Sequence, residues 1–307
     1  MSFRSWRRRL LLIAFLAIAT TLLAASIGVG WMARTEARRL LTNPIGERQL
    51  PTERPIDYGL VYDDVSVMTP DGLRLVGWYV PSENGALIIA QHGYKSQRGE
   101  MLNEAALLHR HGYGVLITSV RAHDMSDGEL ITFGRQEMQD LGAWFAFAST
   151  LSEVNPARIG ILGNSLGGTL AIEFAARTPA IRAVAANSAF SSLQDTLETS
   201  VRFFSGLPPF PFVPLIAFWA EREAGIRVDS VNAMRWIARL SPRPVLLMQG
   251  GADVVISISS GERLFEAARD PKELWFEPKV GHAGFDRALP GEYERRVVGF
   301  FDRSLAE

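Results

Sequence analysis

The chain has 307 residues, 47% of them hydrophobic and 21% charged, which is typical of a folded globular protein and excludes a wholly disordered chain. Its 32 basic and 33 acidic residues give a formal net charge of −1, so the charge balance does not indicate a nucleic-acid-binding protein. Cysteine is absent, which excludes disulfide bonds, thiolate catalysis and cysteine-ligated metal.

The N-terminus predicts a transmembrane anchor. A basic tail over residues 1–9 precedes residues 10–32, a run without a charged side chain. As a helix this run would be roughly 35 Å long, enough to cross the hydrocarbon core of a bilayer. Charged residues flank it on both sides: Arg4, Arg7, Arg8 and Arg9 before it, and Arg34, Glu36, Arg38 and Arg39 after it. The small N-terminal excess of arginine predicts a single-pass protein with a cytoplasmic N-terminus and the remaining chain on the periplasmic or extracellular side.

Two other interpretations of this run stay open. The small residues Ala24-Ala25-Ser26 fit a signal-peptide cleavage site, and cleavage there would release a secreted protein. The run is alternatively a buried core helix, although its length without a charge disfavours that. Residues 33–57 are charged and contain prolines, which predicts a linker.

From residue 58 onward, short apolar runs alternate with helical patterns, which predicts one α/β domain over residues 58–307. Residues 62–68 and 73–80 flank the turn sequence Thr69-Pro70-Asp71-Gly72 and predict an antiparallel hairpin. Further strands are predicted at 86–91, 114–120, 158–162, 184–187, 244–248 and 274–277, and helices at 98–111, 134–150, 166–177, 259–268 and 292–304. Because these strands are continuously apolar, we expect both of their faces to be buried, as in a mostly parallel sheet flanked by helices.

One segment interrupts this alternation after the sixth predicted strand. Residues 190–242 are much longer than a usual crossover, and residues 201–220 within them are rich in phenylalanine and proline. This composition predicts a helical lid whose apolar side lines a substrate pocket. Two alternatives stay open: a small helical insertion with its own core, and a lid that contacts a membrane.

The sequence Gly163-Asn-Ser-Leu-Gly167 lies between the strand predicted at 158–162 and the helix predicted at 166–177. A serine held on so sharp a turn projects its hydroxyl from the edge of the sheet and tolerates only small neighbours, which Gly163 and Gly167 provide. The helix that follows directs backbone N–H groups and its positive dipole end at the same place. Ser165 is therefore the candidate nucleophile.

A serine nucleophile needs a base, and the base needs an orienting acid. Among five histidines, His282 follows the last predicted strand, and Asp253 follows the strand before it. Because the carboxyl ends of parallel strands meet at one edge of a sheet, Ser165, Asp253 and His282 are expected to lie together there. We interpret them as nucleophile, acid and base.

An oxyanion site is predicted beside the serine. Gln91-His92-Gly93-Tyr94 ends the strand at 86–91, where Gly93 allows close approach of the backbone and the Tyr94 amide can point inward. Together with the Leu166 amide it would form a hole with two donors, each contributing roughly 3–4 kcal/mol. His92 is interpreted as a residue that shapes this loop.

Residues 58–305 resemble the α/β-hydrolase superfamily, and within it the dienelactone-hydrolase-like and serine-aminopeptidase-like branch that includes proteins with an N-terminal membrane anchor. The motifs are HGY (92–94), RAHDMSDG (121–128), GNSLGG (163–168), GGAD (250–253) and GH (281–282). The resemblance implies a Ser165–Asp253–His282 triad with oxyanion amides from Tyr94 and Leu166. Relatives usually carry Asp-x-Arg-Gly-His-Gly where this chain has Ser119-Val-Arg-Ala-His-Asp124, in a loop that often borders the pocket.

These observations predict a serine hydrolase that cleaves a carboxylic ester or related acyl bond in a small-molecule or lipid-like substrate. No metal or organic cofactor is required, no phosphate-binding loop motif is found, and the oligomeric state is not indicated. A serine peptidase is the alternative, with Glu137, Asp140, Glu221 and Glu223 as candidate anchors for a substrate amine. A non-catalytic, membrane-tethered binding protein is a third possibility.

Overall fold

The computed structural model describes residues 3–306, with side chains from residue 6 onward. In this part of the chain eight strands form one sheet: β1 (Asp63–Met68), β2 (Arg74–Val80), β3 (Leu87–Gln91), β4 (Gly114–Thr118), β5 (Ile159–Asn164), β6 (Ile181–Asn187), β7 (Val245–Gly250) and β8 (Lys272–Glu277). Their order across the sheet is β1-β2-β4-β3-β5-β6-β7-β8. β2 is antiparallel to both of its neighbours, and the other pairs are parallel.

Ten α-helices accompany the sheet in the described residues: α1 (Phe3–Leu41), α2 (Leu102–His109), α3 (Glu137–Ala148), α4 (Leu166–Arg177), α5 (Leu193–Ser205), α6 (Pro209–Ala224), α7 (Met234–Ile237), α8 (Ser260–Ala267), α9 (Phe285–Ala288) and α10 (Pro290–Ser304). Two apolar cores cover the two faces of the sheet. One includes Trp144 of α3 and Leu170 of α4, and the other includes Leu102 of α2 and Val297 of α10.

This architecture confirms the predicted α/β-hydrolase fold. Every residue of β3 and β4 is buried, as the continuous apolar runs indicated. The helix predicted at 166–177 has those bounds in the structure, and the antiparallel hairpin is β1–β2. Five short 3₁₀ helices complete the described elements: Ile45–Glu47, Pro55–Tyr58, Arg98–Met101, Pro156–Arg158 and Val228–Ser230.

The N-terminal helix is longer than the apolar run. Within α1, Trp6–Leu41 is long and apolar enough to cross a membrane, and its most apolar window is not buried in the protein. A transmembrane span and a signal sequence share these properties. The first two residues of the predicted basic tail, and the Arg4 side chain, lie outside the described part.

The linker expected over residues 33–57 is wrong for its first nine residues, which continue α1. Ala33, Ala37 and Leu41 recur at intervals of four residues and are buried. This spacing places them on one face of the helix, and the two alanines allow close contact with Phe212 and Ile216 of α6. Helical packing against the domain therefore overrides the linker-like composition.

The insertion after the sixth strand is helical, as predicted. It contains α5, α6 and α7 between β6 and β7, and α5 and α6 meet at a bend of 103°. α6 packs against α1, so the insertion joins the N-terminal helix to the sheet domain.

Candidate active site

The site lies where the strand order reverses. β3 is central: β4 lies on one side of it and β5 on the other, so the chain leaves the ends of β3 and β5 in opposite directions. A crevice outside the carboxyl ends of the strands is the usual consequence in open α/β sheets. Gly93 follows β3 and Ser165 follows β5 at this point. A Cβ atom built on Gly93 would come within 3.3 Å of the Ser165 Cβ.

Ser165 occupies a strained backbone conformation, with φ 54° and ψ −119°, between the end of β5 and the start of α4. This turn requires glycines on both sides. A Cβ on Gly163 would lie 2.3 Å from the backbone of Gly167, and a Cβ on Gly167 would lie 2.3 Å from the Gln91 carbonyl oxygen. The spacing of the pentapeptide thus reflects close backbone contacts between β3, β5 and α4.

Ser165, His282 and Asp253 form a continuous hydrogen-bonded chain. The Ser165 Oγ lies 2.8 Å from His282 Nε2, and His282 Nδ1 lies 2.7 Å from Asp253 Oδ2. Asp253 Oδ1 accepts the backbone N–H groups of Val255 and Ile256 at 2.9 and 3.0 Å, which holds the carboxylate in place. This arrangement allows the imidazole to accept the serine proton while its other nitrogen donates to the carboxylate.

The two predicted oxyanion amides flank Ser165. Helix α4 begins at Leu166, so the N–H of that residue has no acceptor within the helix. Within residues 3–306, no protein acceptor takes the Tyr94 N–H. Two unpaired amides beside a serine hydroxyl are suited to binding a negatively charged oxygen.

Two buried histidines, His92 and His123, support the loop that carries Tyr94. His92 donates from Nδ1 to the Gly93 carbonyl at 2.8 Å, and its ring centroid lies 4.8 Å from that of His123. His123 donates from Nδ1 to the Arg121 carbonyl and accepts the Lys95 N–H at Nε2, at 2.8 and 3.0 Å. Burial lowers the pKa of both imidazoles, that of His123 well below its ordinary value, so both are neutral.

The sequence motif around His123 therefore has a supporting position. Residues 121–128 were expected to border the pocket, but none of them lines the cavity. They pack beneath residues 92–95, the predicted oxyanion loop, where His123 accepts the Lys95 N–H. Arg121 is buried there and forms ion pairs with Asp140 and Asp71 at 2.6 and 2.8 Å. Residues 119–124, where this chain differs from the usual family motif, therefore support the loop that carries Tyr94 and do not line the cavity.

A cavity of about 510 Å³ opens from the serine. One end is apolar and is formed by the oxyanion loop, α1 and the insertion, with Leu40, Tyr94, Phe133, Leu197, Val201, Phe203 and Phe204 in its wall. The Tyr94 ring stacks on Phe133 at 5.7 Å and meets Phe204 edge-on at 5.2 Å. The other end is polar and includes Glu100, Asn103 and Asp286.

Sequence reasoning did not identify the acidic residues of this polar end. Glu100 accepts the Gly93 N–H at 3.2 Å, and Asp286 accepts from Asn103 at 2.8 Å. Neither belongs to a motif, although Asp286 follows His282 by four residues.

The four acidic residues proposed as amine anchors do not line the cavity. Glu137 caps the backbone at Thr132 and Gly134, and Asp140 binds Arg121. Glu221 accepts the Val228 N–H, and Glu223 pairs with arginines of α1. Each of these carboxylates therefore has a structural partner away from the cavity.

A third carboxyl group that sequence reasoning did not identify lies beneath the nucleophile. Glu104 is buried and accepts from the Asn164 side chain and the Tyr293 hydroxyl, both at 3.2 Å. Burial raises the pKa of Glu104 to about 8, so the group is largely protonated at neutral pH. It supports the residue before Ser165 without contributing a charge.

In the described part of the chain, no group of three or more His, Asp or Glu side chains could hold a metal ion.

The sheet, its switch-point crevice and the Ser165–His282–Asp253 arrangement define the α/β-hydrolase class. Residues 69–205 match the family model of the X-Pro dipeptidyl-peptidases (S15 family). The chain is 32% identical to the uncharacterized protein Rv2307c of Mycobacterium tuberculosis over 223 residues, which cover 71% of this chain and 72% of that protein. It is 28% identical to YqkD of Bacillus subtilis, over 75% of this chain and 76% of that protein.

Solved structures of other hydrolases have the same fold. The Pyrococcus furiosus esterase Pf2001 superimposes with a TM-score of 0.74 at 26% identity, covering 87% of this chain and 99% of that chain. The Pyrococcus horikoshii acylaminoacyl peptidase, at 19% identity and a TM-score of 0.61, shares the fold over 81% of this chain and 42% of that chain. The chain belongs to the α/β-hydrolase superfamily, and these similarities support a hydrolase of the serine-hydrolase type.

Proposed function

We propose that this protein hydrolyses carboxylic esters of apolar acyl groups through an acyl-enzyme on Ser165. The observation that carries the proposal is the Ser165–His282–Asp253 hydrogen-bonded chain at the mouth of a cavity with an apolar end. An apolar pocket beside a nucleophile suits an acyl chain, because each methylene group that moves from water into the pocket makes binding more favourable by roughly 0.8 kcal/mol.

In the proposed mechanism, His282 Nε2 takes the Ser165 proton as Oγ attacks the ester carbonyl carbon. The amides of Tyr94 and Leu166 hold the resulting oxyanion, and Asp253 stabilises the imidazolium. His282 then returns the proton to the alkoxide leaving group, which departs as an alcohol. Water, deprotonated by the same imidazole, attacks the acyl-enzyme, and the Ser165 oxygen leaves with that proton as the acid is released.

A peptidase is the second candidate. The S15 family match favours it, as do Glu100 and Asp286, two carboxylates in the polar end of the cavity that could receive a substrate ammonium group. The two functions place different demands on this end of the cavity, since an ester substrate needs no cation partner there.

A substrate panel separates the two candidates. We expect p-nitrophenyl acyl esters to be hydrolysed at least about tenfold faster than aminoacyl-p-nitroanilides in kcat/KM. Glu100→Gln retains an acceptor for the Gly93 N–H and is expected to leave ester turnover within about twofold. Preference for anilides, with loss of that activity in Glu100→Gln, would establish the peptidase instead. Absence of hydrolysis of both substrate classes would favour a non-catalytic binding protein.

The proposed membrane topology follows from α1. Residues 10–32 would cross the bilayer with the N-terminus in the cytoplasm, which places the domain from residue 58 on the exoplasmic side. A C-terminal alkaline phosphatase fusion is expected to be active and a fluorescent-protein fusion dark. The reverse pattern would place the domain in the cytoplasm, and release of the fusion into the soluble fraction would indicate signal cleavage.

We further propose that His123 positions the oxyanion loop. His123→Ala removes the acceptor of the Lys95 N–H, so the adjoining Tyr94 amide loses its fixed direction. We expect kcat on a p-nitrophenyl ester to fall roughly 10- to 100-fold with a smaller change in KM, because the donor acts on the transition state. His123→Gln, whose side-chain oxygen can accept the same hydrogen bond, should recover part of the loss. An unchanged kcat in His123→Ala would contradict the proposed role.

A further inference from the structure

The insertion carries an exposed aromatic patch, defined here as Phe203 and Phe204 of α5 and Phe210 and Phe218 of α6. Their exposed fractions are 52%, 37%, 82% and 46%, respectively. A single exposed phenylalanine is ordinary, but several on two consecutive helices usually mark a surface that binds another apolar phase, such as a membrane or an apolar protein surface.

The position of α6 relative to α1 indicates what that phase is. Glu223 pairs with both Arg34 and Arg38, at 2.9 and 3.1 Å, and the Arg34 guanidinium lies 5.0 Å from the centroid of the Trp219 ring. Glu223 therefore lies beside residues 34–38 and Trp219 lies one turn nearer the start of α6, so α1 and α6 run in the same direction. From Trp219 back to Pro211, α6 extends roughly 12 Å toward the apolar run of α1. Phe210 precedes Pro211 at a kink where the backbone is not helical.

The contact between α1 and α6 begins where the apolar run ends. Ala33 is buried against the insertion, and Val29 still packs on the same cluster, whereas Trp31 is 70% exposed. Any bilayer that contains residues 10–32 must therefore reach the neighbourhood of Phe210 and Phe218. Aromatic rings are favoured at that depth, near the boundary between headgroups and acyl chains.

The same elements form the wall of the cavity. Leu40 of α1 lines it, and its carbonyl accepts from the Tyr94 hydroxyl at 2.5 Å. Phe203 and Phe204 both line the cavity and remain partly exposed to solvent. From residue 32 to residue 40, α1 rises roughly 12 Å, so the cavity opens close to the end of the apolar run.

We propose that the α6 part of the aromatic patch, Phe210 and Phe218, is seated in the bilayer that α1 enters, and that the cavity receives an acyl ester resident in that bilayer. The seating depends on α1 and α6 alone, whereas the choice of substrate rests on the proposed ester hydrolase function. In this arrangement a lipid-borne acyl chain passes along Phe203 and Phe204 into the apolar end of the cavity, and its carbonyl reaches Ser165 without crossing water.

The seating can be measured directly, because the chain contains no cysteine and any introduced one is unique. Full-length Phe210→Cys and Phe218→Cys, labelled with an NBD fluorophore in nanodiscs, should be quenched by lipids with nitroxide groups on their acyl chains. Trp31→Cys is the positive control in α1. Phe276→Cys, on β8 and 48% exposed, is the matched negative control.

Three results would overturn the seating. The first is absence of quenching at positions 210 and 218 while position 31 is quenched. The second is absence of quenching at all three, which would remove α1 from the membrane. The third is an NBD signal at positions 210 and 218 that changes with the protein-to-lipid ratio and does not respond to nitroxide lipid. That result would show that a second copy of the chain covers the patch.

The substrate is tested with variants outside the cavity wall. Phe210→Glu and Phe218→Glu, combined, should lower turnover of a fluorogenic diacylglycerol ester in nanodiscs at least about tenfold. Turnover of water-soluble p-nitrophenyl butyrate should stay within about twofold, as should both activities of Phe276→Glu. Equal activity of the combined variant on the bilayer ester would overturn the proposal, as would a wild-type protein that cleaves only the soluble ester. A wild-type protein that cleaves neither ester refutes the proposed function itself, while the quenching data still decide the seating.

Discussion

Ser165→Ala is expected to abolish both ester hydrolysis and covalent labelling by a fluorophosphonate. The variant keeps the fold, since alanine is smaller than serine and the hydroxyl bonds only to His282 in the described structure. It removes the atom that would form the acyl-enzyme, and loss of a nucleophile in comparable triads lowers kcat by roughly 10⁴- to 10⁶-fold. Labelling on a gel and initial rates on a p-nitrophenyl ester measure the two effects separately.

Ser200→Ala is the matched control for this experiment. Ser200 lines the same cavity, but its hydroxyl donates to the Val255 carbonyl at 3.1 Å and does not contact the imidazole. Its variant should still be labelled and should retain activity within a fewfold of wild type. Labelling that survives in Ser165→Ala, or disappears equally in Ser200→Ala, would refute the assignment of Ser165 as nucleophile.

Gly163→Ala is expected to have the largest effect on stability. The new methyl group would lie 2.3 Å from the backbone carbon and oxygen of Gly167 and 2.6 Å from the nitrogen of Gly168. These atoms belong to the first turn of α4, which cannot move away from β5 without displacing Ser165. We expect the free energy of unfolding to fall by more than about 3 kcal/mol, or folded protein not to accumulate. Thermal unfolding followed by circular dichroism, and the soluble yield, measure this.

Gly142→Ala is the control for the glycine substitution. Gly142 lies in the interior of α3, where an added Cβ meets no atom within 4 Å. Alanine is favoured over glycine in a helix, so this variant should be more stable by roughly 0.5–1 kcal/mol. If Gly163→Ala unfolded at the wild-type temperature, the close contact between β5 and α4 inferred here would be incorrect.

Strands β3 to β7 were recognisable because burial on both faces leaves continuous apolar runs. The expectation of burial on both faces is wrong for β8, which lies at the edge of the sheet and whose residues are mostly exposed or only partly buried. Ser165, Asp253 and His282 follow β5, β7 and β8, and parallel strands bring their carboxyl ends to one edge of the sheet. The arrangement of the three residues was therefore predictable, while their catalytic roles stay predictions for the experiments above.

The errors also have a physical origin. Residues 33–41 were expected to be a linker because their charges suggest exposure, but Ala33 and Ala37 are buried against α6. The arginines of this segment also bind the insertion: Arg34 and Arg38 pair with Glu223, and Arg39 donates to the Phe204 carbonyl. Recognising this required the partner surface on α6, which is far away in the sequence. The acidic anchors proposed for a peptidase failed for a similar reason: residue type alone does not reveal that Asp140 is already paired with Arg121.

The α/β-hydrolase fold, the sharp turn at Ser165 and the order of the acid and the base were predictable before folding was considered, because all three depend on short-range patterns and on strand direction. The residues around them became apparent in the folded chain: Leu40 of α1 in the cavity wall, Glu100 and Asp286 at its polar end, and His123 behind the oxyanion loop. Those positions depend on how helices and loops distant in sequence pack on the sheet. Such packing is set by complementary surfaces, which no single stretch of sequence contains.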